Sequence, residues 1–230
     1  MIDLIPSFGR MRVLLSLVLP LFLVGNIHAQ AKFVRFETSK GNIVVMLYDQ
    51  TPGHRDMFLK AIKKGQYSNA LFNRVIRNFV SQGGELDDTI LNRERHLAVV
   101  KGISPEAVAK RLPAEIRPAL FHKKGALGAG RDDNKMKASY FTQLYFVTGA
   151  IQTDAQLDAV EKRKGVKIPE AQRKVYKRIG GTPHLDGDYT VFGEIIEGMD
   201  VAGAINSVAV DQHDVPLEPV VFTVKVIKKR

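Results

Sequence analysis

Tyr67-Ser68-Asn69-Ala70-Leu71-Phe72-Asn73-Arg74-Val75-Ile76-Arg77-Asn78-Phe79-Val80-Ser81-Gln82-Gly83-Gly84 is the most informative segment of this 230-residue chain. Phe72, Val75, Ile76, Phe79 and Val80 give residues 71–80 the composition of a strand, and Gly83-Gly84 ends it. Upstream the text stays β-rich. Residues 33–38 and 43–48 are two further strand runs, with Ser39-Lys40-Gly41-Asn42 between them as a hairpin turn. Thr51-Pro52 then opens a helix as cap and first-turn proline, and Phe58, Leu59 and Ile62 follow at helical spacing as far as Gly65.

Downstream, residues 87–117 are less regular and helical in part. Ser104-Pro105-Glu106 caps a short run over 107–112, and Pro113 and Pro118 bracket an extended piece. Gly125, Gly128 and Gly130 lie within six residues, which permits close backbone approach. Residues 141–148 are strongly β. Thr153-Asp154 starts a charged helix over 155–163, and 169–179 reads as another, ended by Gly180-Gly181. Residues 189–196 and 219–226 are the closing strands. Numerous strands, two early helix signals and long inserts predict a mainly β chain, a closed antiparallel β-barrel with helices covering its ends.

The first thirty residues differ from the rest. Arg10 and Arg12 precede an apolar run over 13–24, and Ala29 follows, which is the layout of a secretory signal over residues 1–29. Cleavage is expected after Ala29 or Ala31, and Met11 is an alternative start. The run falls short of the roughly 20 apolar residues of a membrane span, and Asn26 and His28 close it, so an uncleaved anchor is the minor alternative. The expected product is exported, periplasmic or secreted, and not stably inserted in a membrane once the signal is removed. With no cysteine it carries no disulfide and no acylated thiol. The formal charge of +10 becomes +9 when Arg10, Arg12 and Asp3 leave together. Its lysines and arginines are spread out, without the basic stripe and base-stacking aromatics that nucleic acid demands, so no nucleic-acid partner is expected.

Most familiar chemistries are absent: there is no Gly-x-Ser-x-Gly, no phosphate-cradling glycine loop, no His-Glu-x-x-His and no cysteine site. The histidines, at 28, 54, 96, 122, 184 and 213, stand far apart, which predicts structural or surface roles and no metal. What remains is the segment 67–84. It closely resembles the signature of cyclophilins, in which a phenylalanine, an arginine, a valine-isoleucine pair, a second phenylalanine and Gln-Gly-Gly follow at this spacing. Three more blocks appear in order: Gly125-Ala126-Leu127-Gly128-Ala129, Thr142-Gln143-Leu144-Tyr145-Phe146-Val147, and His184-Leu185-Asp186-Gly187-Asp188-Tyr189-Thr190-Val191-Phe192-Gly193.

The resemblance implies one domain over residues 30–230, an eight-stranded antiparallel barrel capped by two helices, with insertions at about 86–111 and 149–180. It implies a peptidyl-prolyl cis-trans isomerase that needs no cofactor, acts on proline-containing polypeptides and is monomeric. Position by position, Arg74 takes the catalytic arginine, Phe79, Val80, Tyr145 and Leu185 line the proline pocket, and Gln82 holds the substrate backbone. Gly130 and Gln143 flank the groove, and Tyr189 replaces a residue that is often histidine. There are other departures: Asn73 stands where histidine commonly precedes the arginine, Leu144 replaces an aromatic residue, and Tyr145 brings a hydroxyl where phenylalanine is usual. His184 stands where some members carry a tryptophan that contacts cyclosporin. Weak cyclosporin binding is therefore expected, and nanomolar inhibition of isomerisation would contradict it.

These residue types suit the reaction. Resonance opposes rotation of a peptide C–N bond with a barrier of roughly 18–20 kcal/mol, and X-Pro bonds interconvert unaided over tens to hundreds of seconds. No covalent bond has to break. The twisted amide gains a lone pair on the proline nitrogen, and a fixed guanidinium is a donor that stays charged and directed. A binding module for proline-containing segments with little turnover is the alternative, motivated by the pocket substitutions and the insertions.

Overall fold

The computed structural model describes residues 32–228, so the signal expected over residues 1–29 lies outside the described residues. The strands are β1 (Lys32–Thr38), β2 (Gly41–Leu47), β3 (Ala70–Ile76), β4 (Val80–Gly84), β5 (Ala126–Ala129), β6 (Gln143–Val147), β7 (Val191–Glu197) and β8 (Val220–Ile227). They close in the order β1-β2-β7-β5-β6-β4-β3-β8, with every pairing antiparallel. The helices are α1 (Pro52–Lys63), α2 (Asp87–Lys101), α3 (Pro105–Val108), α4 (Asp154–Lys164), α5 (Glu170–Ile179) and α6 (Met199–Ile205). A 3-10 turn covers Pro183–Leu185.

Alternation along the strands fills the barrel with side chains. Val34 and Phe36 of β1, Ile43, Val45 and Leu47 of β2, Leu144 and Phe146 of β6, and Phe222 of β8 form one buried cluster. Phe58 and Ala61 of α1 and Ala202 and Ile205 of α6 join it, so these two helices close the barrel. Phe36 sits among Phe58, Phe146 and Phe222, its ring 6.1, 4.9 and 5.5 Å from theirs. Burial of one such side chain contributes about 1.5–3 kcal/mol.

Several elements depart from the reading of the sequence. Residues 71–80 are a hairpin rather than one strand: β3 ends at Ile76 and β4 starts at Val80. The chain reverses through Asn78, whose φ of 58° suits asparagine better than other side chains with a Cβ. Asn206, just past α6, fixes that reversal by accepting from the Asn78 N–H at 2.8 Å and donating to the Ile76 carbonyl at 3.0 Å. Thr51 precedes α1 but makes no side-chain cap bond. Glu115 caps the helix instead, accepting from the N–H groups of Gly53 and His54 at 3.0 and 2.8 Å. The run over 107–112 is helical only to Val108, where Ser104 caps α3 as expected. Before it, α2 is a regular helix whose inward stripe is Ile90, Glu94 and Ala98, a spacing of four. The glycine-rich segment holds β5, a strand of the barrel wall, and α6, at seven residues, is too short for a helical repeat to stand out in the sequence.

Candidate active site

A single row of residues runs across four strands of the barrel wall. Arg74 of β3 pairs with Gln82 of β4, Gln82 with Tyr145 of β6, and Tyr145 with Gly128 of β5. Residues directly opposite on neighbouring strands project to the same face. The adjacent row, Val75, Ser81, Phe146 and Leu127, faces the interior. Arg74 joins the outer row because the ladder shifts between Phe72 and Arg74. Phe72 and Val75 both point into the core, so the extra residue moves Arg74 off the inner face that strict alternation from Phe72 would have given it.

Only glycine fits at position 128 of this row. A Cβ there would collide with the ring and hydroxyl of Tyr145, which lies across the strand. Gly130 repeats the device, since its missing side chain admits the Gln143 carboxamide. Gln143 is held by donation to the Glu85 carbonyl at 3.1 Å and to Asp87 at the start of α2.

Around this row lies a cavity of about 230 Å³ lined by Arg74, Phe79, Val80, Gln82, Gly130, Gln143, Tyr145, Leu185 and Tyr189. All nine residues singled out from the sequence are thus brought together. Their apolar members have an outer core of their own: Val80, Tyr145, Val147, Ala126 and Val191 are buried, and Phe79, Leu185 and Tyr189 pack on them. Phe79 comes from the β3–β4 turn and Leu185 from the 3-10 turn. His184 stacks on Phe79 with ring centroids 5.2 Å apart. Burial, then the neighbouring Arg163, lowers the His184 pKa and favours the neutral ring. Arg74 is 45% exposed and reaches Asp214 at 3.6 Å, so its guanidinium lies at the mouth of the cavity.

Two lining residues were not anticipated. Asp87 lies three residues beyond Gly84, and Arg131 follows Gly130 directly. The Arg131 guanidinium sits 4.7 Å over the Tyr189 ring and donates to the Asp188 carbonyl at 2.8 Å. Asn73, where histidine was the expected neighbour of the arginine, donates to the Gly84 carbonyl at 2.6 Å and serves the hairpin. Two histidines are buried rather than superficial. His54 lies at the start of α1, with Nδ1 2.7 Å from Glu115 and Nε2 3.1 Å from Ser139. His122 backs the cavity, with Nε2 2.8 Å from the Tyr145 hydroxyl. Burial above all raises the Tyr145 pKa far over its ordinary value, so the phenol keeps its proton. Among the described residues, no group of three histidine or acidic side chains is arranged to hold a metal ion.

The cavity is thus a polar rim over an apolar hollow on the outside of a closed barrel. The fold matches that of a cyclophilin type peptidyl-prolyl cis-trans isomerase of Cryptosporidium parvum, solved in the presence of the dipeptide Ala-Pro, with a TM-score of 0.59 at 18% identity over 86% of this chain and 99% of that one. The family model for cyclophilin type peptidyl-prolyl cis-trans isomerase/CLD matches residues 33–226, and the chain belongs to that family. It is 25% identical to peptidyl-prolyl cis-trans isomerase B of Escherichia coli K12, over 82% of this chain and 95% of the relative. Similarity to peptidyl-prolyl cis-trans isomerase-like 2 of Rhizopus delemar is 29% over 80% of this chain, which spans only 26% of that longer protein.

Proposed function

We propose that this groove isomerises X-Pro bonds in exported polypeptides and so assists their folding, with Arg74 as the catalytic residue and Phe79, Val80, Tyr145 and Leu185 as the grip on the proline ring. The observation that carries the reading is the cavity itself, in which a directed cation and an apolar hollow share one wall. The pyrrolidine enters the hollow, where each Å² of apolar area removed from water contributes about 25 cal/mol. Gln82, next to Arg74 in the row, holds the substrate backbone. As the preceding carbonyl swings, the proline nitrogen becomes pyramidal, and the guanidinium donates a hydrogen bond to the lone pair that appears. Such a donor acts on the transition state more than on the planar substrate, which is the condition for raising the rate. No group has to be transferred, so the side chains of this chain suffice without a cofactor.

Export rests on the sequence of residues 1–29, and a periplasmic or secreted, monomeric enzyme is the corresponding reading. The experiment is an amide-resolved titration of the mature protein with an Ala-Pro peptide, together with the mass of the protein recovered from cell fractions. Shifts confined to Phe79, Gln82, Tyr145, Tyr189 and their neighbours are expected, with a mature chain starting at Gln30 or Lys32 outside the cytoplasm. Shifts elsewhere would remove the site assignment. A full-length cytoplasmic product would remove export.

A further inference from the structure

The wall of the proline hollow is tied through four side chains to the helical hairpin α4–α5. Tyr176 of α5 donates from its hydroxyl to Oδ2 of Asp186 at 2.6 Å. Oδ1 of the same carboxylate accepts from the His122 backbone N–H at 2.8 Å and lies 2.8 Å from His122 Nδ1. On the other side of the imidazole, Nε2 lies 2.8 Å from the Tyr145 hydroxyl. A carboxylate only accepts, so Nδ1 carries the proton that faces it, and Nε2 shares a hydrogen bond with the Tyr145 hydroxyl. The hairpin and the pocket are therefore joined by an unbroken run of hydrogen bonds.

The Tyr145 ring packs in the apolar cluster of Val80, Ala126, Val147 and Val191 and stacks on His122 at 6.0 Å, and its hydroxyl is its polar tether. The ring lies over Gly128, where no side chain steadies it, and Tyr189 meets it edge-on at 6.1 Å. Tyr176 and His122 are as buried as Tyr145, while the Asp186 carboxylate that joins them is 24% exposed. The far end of the chain is rigid as well. Tyr176 packs edge-on against Phe121 at 5.3 Å, and Arg173 on the same helix is paired with Asp154, Asp158 and Glu161 of α4. The hydroxyl of Tyr145, a departure from the usual phenylalanine, thus has a use: it makes the pocket wall answerable to a segment outside the barrel.

We propose that His122, Asp186 and Tyr176 are positioning residues, and that through them the α4–α5 hairpin sets the orientation of Tyr145 and hence the grip on proline. The proposal rests on the reading of this cavity as the proline site. A ring grip acts on the planar substrate and the twisted amide alike, so loosening it raises KM and leaves kcat nearly unchanged. Tyr176→Phe removes one hydroxyl and keeps the packing.

The test is steady-state isomerisation of an Ala-Pro peptide by the wild type, Tyr176→Phe, Tyr145→Phe and the double variant, with Asp186→Asn as a second break in the chain and Tyr145→Ala as the pocket control. Tyr176→Phe is expected to raise KM about 3- to 10-fold with kcat within about two-fold, and to add nothing in the Tyr145→Phe background, because interacting sites are not additive. An unchanged KM in Tyr176→Phe, or an equal effect in both backgrounds, overturns the proposal, whether or not Asp186→Asn folds. If Tyr145→Ala also leaves KM unaltered, the pocket reading itself has failed. If Tyr145→Ala raises KM and Tyr176→Phe does not, only the positioning chain has.

Discussion

Arg74 and Gly128 stand at opposite ends of one row, and each depends on a small irregularity in the wall. The shifted ladder before Arg74 turns a guanidinium outward, and the missing Cβ at Gly128 makes room for an aromatic ring. Gly128→Ala should therefore displace Tyr145 from the hollow. The expected loss is about 1–3 kcal/mol of stability, the range for overpacking a fitted site, together with a raised KM for proline peptides. Urea denaturation and peptide kinetics on the same preparation check both; wild-type values of each would show that the Tyr145 ring is free to move. Nine of the lining residues were legible in the sequence because the motif blocks fix residue type and order, and Asp87 and Arg131, outside those blocks, were not. His122 was not, since its partners Tyr145 and Asp186 lie 23 and 64 positions away and no local pattern joins them.

Among the elements, the hairpin β3–β4 shows why strand composition underdetermines structure. Phe72, Val75, Ile76 and Val80 have the same β character on either side of the turn, and only Asn78, with its positive φ, marks the reversal. The cap of α1 was misread for a related reason. Thr51 has the right chemistry, yet Glu115, more than sixty positions on, brings a full charge to the same N–H groups. The charged helices α4 and α5 were foreseen from Thr153 and Gly180-Gly181, but not the ion cluster that joins them. Glu161 accepts from Lys167 at 2.6 Å, from the Ile168 N–H at 3.0 Å and from Arg173 at 3.1 Å. The Lys167 bond foremost, with the Ile168 N–H next, lowers its pKa from 4.5 to about 2. A carboxylate depressed in the folded state contributes stability that is complete above its unfolded value and lost as pH falls through the folded one. Unfolding of the hairpin should thus become easier between about pH 4.5 and 2, and Glu161→Gln should remove that part of the slope. Amide exchange across α4–α5 as a function of pH is the measurement, and an unchanged slope in the variant would assign the acid sensitivity to another group.

At the scale of the molecule, the barrel separates stability from chemistry by alternation. Phe146 points into the core against Phe36 and Phe72, while its neighbour Tyr145 faces the groove. Phe146→Ala should cost about 3–5 kcal/mol in urea unfolding, the usual range for emptying a buried aromatic site. Peptide turnover per folded molecule should survive it; loss of activity in fully folded protein would mean that the two faces of β6 are not independent. The closed barrel was readable because four motif blocks appear in order, while its strand sequence was read only in part, β3 and β4 as one run and β5 as a glycine-rich segment. The short helix α6 was not, because its seven residues bury only Ala202 and Ile205.

The central claim is that a guanidinium at the mouth of an apolar hollow lowers the barrier to rotation. Exchange-resolved measurement of cis-trans interconversion in an Ala-Pro peptide, with the wild type and Arg74→Ala side by side, addresses it directly. The account predicts that the variant binds the peptide with an affinity close to wild type and loses about 10²–10³-fold in kcat, the size expected for removing one preorganised donor. Wild-type kcat in a folded, peptide-binding Arg74→Ala protein would contradict it.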